Sequence, residues 1–291
     1  IISRIKSIIK GNNLELKDDL KICWNGFPIA QLTAGKDYLN PDIKLIVDDM
    51  IESNDQLELY KYLISWINTK INDELTNLIE LKNLKNQNPH IRALAYRIYE
   101  SNGVVKREDV RNFINKLEQN DRKILRSKGV KFGRYHIFLF KLFKPKAVSL
   151  RILLWKNFNQ KYLNLEPPQF GLNFIFEDKK LNRDFMLMCG FEKFDNYYVR
   201  IDILERLFLM IIEKNKENIK EIKLVPGMLN LLGCNKEDFL KLMKKMNYIS
   251  TSKNQETYFK YNLKKNFKKI EKIKSTNDDN PFNILKEIRI K

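Results

Sequence analysis

A chain of 291 residues and 34.8 kDa has room for one large domain or two to three small ones. Its apolar fraction of 43% is enough for a sizeable core, yet with a mean hydropathy of −0.45 no stretch approaches the roughly 18 uncharged apolar residues that a membrane helix needs. The net charge of +18 points away from basic partners, although in a chain rich in Lys, Asn and Ile part of it reflects codon usage.

The distribution of charge says more than the sum. From Arg122 to Leu165 there are twelve basic residues and no acidic one, and from Lys253 to Lys274 eight basic against two acidic. The rest of the chain is neutral overall. Codon usage spreads an excess evenly; a block without a carboxylate is the electrostatic footprint of a polyanion partner. The alternative is a solvated lysine face. Cys23, Cys189 and Cys234 lie far apart, and with only His90 and His136 beside them no C-x-x-C or H-x₃-H pair exists. That argues against a structural zinc site, and the odd cysteine count without a signal peptide fits a reducing cytosol. The chain begins with Ile1, so we expect processing or, better, a piece of a longer reading frame.

In chain order, "LKICWNGFPIAQLTAG" reads as two short strands around an Asn25-Gly26 hairpin turn. Gly35-Lys36 fails as a phosphate loop, because Ala30 stands where the first glycine belongs and Asp37 where Ser or Thr belongs. Residues 43–85 read as a helix with Leu57, Tyr60, Leu63, Ile64, Ile67, Ile71, Leu75 and Leu78 on one face. A second helix covers about 91–101 and ends at Asn102-Gly103. The next run, opening at Lys106–Asp109, reads as amphipathic helix up to Gly129. Gly129 and Gly133 bracket a short loop, "YHIFLF" reads as an aromatic strand or buried helical turn, and Pro145 opens a helix over 146–158. "EPPQFG" is a linker, residues 179–189 a short helix, and "FEKFDNYYVRID" a hairpin around Asp195-Asn196. Residues 201–214 form an apolar helix; then come helix, glycine turn, a helix capped near Asn235 and two strands, which is a winged-helix order. A helix pair packed only on its neighbours gives a similar pattern. Residues 264–280 read as disordered, and "NPFNILKEI" as a docked C-terminal element.

The chain holds no nucleophile elbow, zincin, dinucleotide or helicase motor motif. The pairs Asp18-Asp19, Asp48-Asp49 and Asp278-Asp279 are adjacent residues whose side chains diverge. What the basic stretch does hold is cations for phosphates and flat rings for bases. Arg122, Arg126, Lys128, Lys131, Arg134, Lys141, Lys144, Lys146 and Arg151 interleave with Phe132, Tyr135, Phe138, Phe140, Phe143 and Trp155. Phe138, Phe140 and Trp155 are expected in the core, and Lys131, Arg134 and Tyr135 on the surface. For His136, stacking or hydrogen bonding to a ligand stands beside a satisfied structural role. The candidate nucleic-acid-binding set is Lys128, Lys131, Arg134, Tyr135, His136, Lys141, Lys144, Lys146 and Arg151, with no catalytic or metal residue.

"GVKFGRYHIFLFKLFKPKAVSLRILLW" resembles a block in the post-motor half of alphaproteobacterial ATP-dependent DExH helicases, relatives of the mitochondrial degradosome RNA helicase. Gly129, Val130, Lys131, Phe132, Gly133, Lys144, Pro145, Leu153, Leu154 and Trp155 stand at the matching places. "WNGFPIAQLTAGKDYLNPDIKL", "GFEKFDNYYVRIDILERL", "MLNLLGCNKEDFLKLMKKMNY" and "NPFNILKEI" are similar to further family blocks in the same order, so the resemblance covers essentially the whole chain. It implies an accessory region that closes over two motor lobes and guides a single strand of RNA or DNA. The motor, with its ATP and magnesium, would lie upstream of Ile1, and no cofactor belongs to this chain. The partners implied are the motor lobes in cis, the strand and an exoribonuclease, in the cytoplasm and without a membrane.

The fold expected is mainly α with short β-hairpins, a helical accessory region followed by winged-helix-like units. It divides into a mixed segment over 1–42, a helical accessory domain over 43–165, a helix/hairpin and winged-helix-like domain over 166–263 and a basic tail over 264–291. Three functions compete: strand guidance beside a motor, a scaffold for an RNA-degradation partner, and a stand-alone winged-helix binder of duplex DNA centred on 226–262.

Overall fold

The computed structural model describes Ile8, Gly11 and residues 13–46, 53–84, 87–177, 181–215 and 221–262. The polar tail and the "NPFNILKEI" element lie outside these residues. The described residues are 48% helical and 25% strand, in small antiparallel sheets of three or four strands, so the fold is mixed rather than mainly α.

The N-terminal sheet is a meander of β1 (Leu14–Leu16), β2 (Lys21–Trp24), β3 (Phe27–Asp37) and β4 (Asn40–Leu45). Asn25 and Gly26 both take positive φ between β2 and β3, as a tight hairpin turn requires. Helix α1 (Ser53–Lys82) covers this sheet with its first half, where Leu59 and Leu63 meet Ile22, Ile29, Ala30, Ile43 and Leu45. The helix expected from residue 43 therefore starts ten residues later, because 43–45 pair with β3 instead. The buried stripe runs Leu59, Leu63, Ile67, Ile71, Leu75, Leu78 and Leu81, while Leu57 is exposed.

Beyond α1 a similar order of elements recurs three times, with one helix instead of two before the hairpin of the second unit. The first unit is α2 (Pro89–Glu100), β5 (Val104–Lys106), α3 (Arg111–Ile114), α4 (Gln119–Ser127), β6 (Val130–Phe132) and β7 (His136–Leu139). The second is α5 (Pro145–Phe158), β8 (Phe174–Phe176), α6 (Arg183–Met188), β9 (Phe191–Phe194) and β10 (Tyr197–Arg200). The third is α7 (Ile201–Asn215), β11 (Ile222–Lys223), α8 (Pro226–Leu232), α9 (Lys236–Lys245), β12 (Tyr248–Lys253) and β13 (Glu256–Tyr261). In each sheet the last strand lies in the middle: β5-β7-β6, β8-β10-β9 and β11-β13-β12. In each, a left-handed residue ends the helix before the hairpin, namely Gly129, Gly190 and Asn247. The run expected as one helix over 106–129 is thus a strand and two short helices. A three-residue strand paired to β7 carries no periodicity of its own.

The units are bolted together by buried and half-buried polar groups. Arg151 on α5 is fully buried and donates from Nη1 to the Asn102 carbonyl at 3.1 Å and from Nη2 to the Met188 carbonyl at 2.5 Å. Asn173 Nδ2 donates to the Leu231 carbonyl at 3.1 Å, tying the second unit to the third. Asn77 of α1 donates to the Lys128 carbonyl at 2.6 Å, tying the long helix to the first.

Candidate nucleic-acid interface

The acid-free stretch is the hairpin and following helix of the first unit. Gly129 closes α4 at φ +87°, and a Cβ there would stand 2.6 Å from Asn77, so only glycine fits. In β6 Val130 points inward and Lys131 outward, while the Arg126 guanidinium lies 5.5 Å from the centre of the Phe132 ring. Gly133-Arg134-Tyr135 then turns the chain into β7.

That turn is gripped by a carboxylate from far along the chain. Glu205, on α7, accepts the backbone N–H groups of Arg134, Tyr135 and His136 at 2.5, 2.9 and 2.6 Å. A Cβ at Gly133 would stand 2.4 Å from this carboxylate, which is why the turn needs glycine. Arg107, just past β5, holds the turn from the other side: its backbone N–H reaches the Tyr135 carbonyl at 2.7 Å and its Nη1 the Gly133 carbonyl at 2.7 Å.

His136 is buried between two glutamates, with Nδ1 3.2 Å from Glu205 and Nε2 3.3 Å from Glu192. Lys106 and Arg183 complete the surroundings of Glu192, at 3.3 and 3.4 Å. Burial alone would lower the His136 pKa; hydrogen bonds to Glu192 and Glu205 outweigh it, and the net shift is upward. For Glu192 burial pushes the pKa up, but His136 and Lys106 prevail and hold it below the usual carboxylate range. The Cys189 thiol, pushed up to about 12 by burial, is inert at neutral pH.

The structure sorts the nine candidate residues into three groups. Lys131, Arg134, Lys141, Lys144 and Lys146 are exposed. Three of these surround the start of α5, where Lys144 is the N-cap and no acidic residue offsets the helix dipole. Lys128 is half-buried and pairs with Glu80 at 3.6 Å. The other three turn inward. Arg151 is wholly buried, and His136 serves the two glutamates. Tyr135 packs on Phe208 with ring centres 4.5 Å apart and donates its hydroxyl to the Met246 carbonyl at 3.1 Å, so it is not the surface ring expected. Among the aromatics Phe138 and Trp155 are core as expected, but Phe140 is 48% exposed beside Lys141. It sits in a single 3₁₀ turn, Phe140–Phe143, in which Leu142 and Phe143 take the inward places.

Sequence reasoning passed over Arg107, Glu192 and Glu205. Glu205 carries a signal, a lone carboxylate inside the apolar run "ILERLFLMII"; Glu192 and Arg107 carry none, since both sit in mixed-charge segments. Among the described residues no group of three or more His, Cys, Asp or Glu is arranged to hold a metal ion, and no helix is long and apolar enough to cross a membrane. Comparison with family models, with curated proteins and with solved structures finds no match for this chain.

Proposed function

We propose that this chain is the post-motor accessory region of an ATP-dependent DExH helicase, and that it guides a single strand of RNA or DNA along its first unit. The observation that carries the reading is the division within the acid-free stretch. Its structural polar groups turn inside, yet Lys131, Arg134, Lys141, Lys144 and Lys146 stay at the surface, with Phe140 exposed among the last three. Cations around a helix start suit phosphates, and an exposed ring offers a stacking face. ATP and magnesium belong to the motor lobes, which are the partner in cis; an exoribonuclease is the partner in trans.

Anisotropy of a labelled single-stranded oligonucleotide, titrated at rising salt, tests this. Binding should weaken steeply with salt, and K141Q/K144Q should flatten the slope by about 0.7 for each phosphate that the double variant no longer neutralises. F140A should cost ~1–3 kcal/mol. Salt-insensitive binding, or none, sinks the proposal.

A second reading rests on the third unit. Its order of helix, strand, two helices and two strands, with the last strand central, supports a winged-helix reading, and α9 exposes Lys236, Lys241, Lys244 and Lys245. Preference for duplex over single strand in a competition assay would favour it.

A further inference from the structure

Arg107, Arg122, Arg126 and Arg134 of the first unit make no ion pair: among the described residues the arginine ion pairs are at Arg97, on α2 of the same unit, and at Arg183 and Arg200. Two of them are also drawn in from solvent. Arg107 is half-buried, with its one side-chain hydrogen bond going to the Gly133 carbonyl at 2.7 Å. Arg122 is half-buried in the first half of α4; its Nη2 donates to the Ile114 carbonyl at 3.2 Å, and its Nε is buried with no partner. Arg134 projects from the same turn that Arg107 holds.

A guanidinium presents five N–H donors, so Arg107 and Arg122 keep most of theirs unused, while the Arg134 guanidinium lies 5.3 Å from the centre of the Tyr261 ring. The groups also feel one another. Burial, and after it the charges of Arg122 and Arg134, press the Arg107 pKa below its ordinary value. The carboxylate that acts in the opposite sense is Glu205, which is already occupied by three peptide N–H groups and His136.

The repeat shows that the unit does not require this cluster. The residue just past the first strand bonds the last strand or the turn before it in each unit: Arg107 N to the Tyr135 carbonyl at 2.7 Å, Glu177 N to Asn196 at 2.8 Å, and Leu224 N to Thr257 of β13 at 2.8 Å. The position thus takes a cation, an anion or an apolar residue. In the second unit Glu177 is balanced by Lys193 at 2.5 Å. Only in the first unit is the charge at this position left without an ion-pair partner among the described residues.

We propose that Arg107, Arg122 and Arg134 seat one phosphate group, an anion whose oxygens match the guanidinium fork. As the backbone grip on the guided strand, the seat rests on the strand-binding reading above; its anion chemistry does not.

The first arm of the test uses inorganic phosphate. Thermal unfolding of the 291-residue chain is followed in phosphate and in chloride of equal ionic strength, for the wild type, R122Q and R134Q. Arg134 is exposed, so R134Q should fold even if R122Q does not. Phosphate should raise the wild-type Tm above chloride, and the substitutions should remove most of that rise, whereas R107K should keep part of it. An equal rise in wild type and both glutamine variants overturns the seat. The second arm uses the labelled oligonucleotide. R134Q should lower its affinity at least about fivefold and flatten the salt slope by about 0.7. If phosphate protection is lost in the variants while the wild type binds no oligonucleotide, the seat stands and the strand reading falls. If the wild type binds oligonucleotide, and both binding and phosphate protection are unchanged in the variants, the seat falls and the strand reading stands.

Discussion

Glu205 is where a single side chain decides most. Its carboxylate satisfies three backbone N–H groups at once, a task no neutral side chain can reproduce. E205Q keeps the shape but brings an amide N–H₂ against backbone donors. We expect a loss of about 2–4 kcal/mol, read as a lower urea midpoint with an unchanged slope. The pH dependence follows from its neighbours. The folded pKa of His136 lies above its ordinary 6.5, so its contribution to stability is full below about 6.5 and is lost as pH rises through the folded value. The folded pKa of Glu192 lies below 4.5, so its contribution holds above about 4.5 and is lost as pH falls through the folded value. Tm measured from pH 4 to 9 should therefore fall on the alkaline side more in the wild type than in H136Q; identical alkaline limbs would remove His136 as the cause. This cluster was not legible in the sequence. His136 sits in a basic aromatic run that advertises a ligand, and the residues that claim it come 56 and 69 positions later. Lys131 and Arg134 were legible as surface positions, although the loop expected between Gly129 and Gly133 is strand β6, in which Lys131 takes the outward place between Val130 and Phe132.

At the scale of the element, the left-handed residue before each hairpin sets the angle between helix and strand. Gly129 and Gly190 both have φ near +90°, and each faces a side chain, Asn77 or Phe143, that a methyl would strike. G129A combines backbone strain with displacement of Asn77 and should cost more than ~1 kcal/mol. Calorimetry of G129A beside G26A would test this, because Gly26 also has positive φ but meets nothing within 4 Å. If the two cost the same, the Asn77 contact contributes nothing. The hairpin turns at Asn25-Gly26 and Asp195-Asn196 and the cap at Asn235 were readable, because turn and cap chemistry is local. The strands β4, β5 and β8 were not. Each is short, and what makes it a strand is a partner elsewhere in the chain.

Over the whole molecule, three similar units are joined by polar bolts as well as by apolar clusters that cross their boundaries. Arg151 joins the first to the second, Asn173 the second to the third, and Glu205 the first to the third. The ring of bolts predicts one cooperative transition, checked by coincidence of far-UV circular dichroism and tryptophan fluorescence, since Trp24 and Trp66 lie by the N-terminal sheet and Trp155 in the second unit. The triple recurrence itself could not be read from residues. The corresponding positions Arg107, Glu177 and Leu224 share a backbone role and no chemistry. The Glu205 grip also has a consequence in time. The hairpins it joins close locally, but the grip spans about 70 residues and so carries a loop-closure cost that local pairing does not. The three units should take shape first and the grip should engage after the rate-limiting barrier. A substitution at Glu205 should then leave the refolding rate nearly unchanged and appear almost wholly as faster unfolding, so that the chain lets go at this point before it lets go anywhere else.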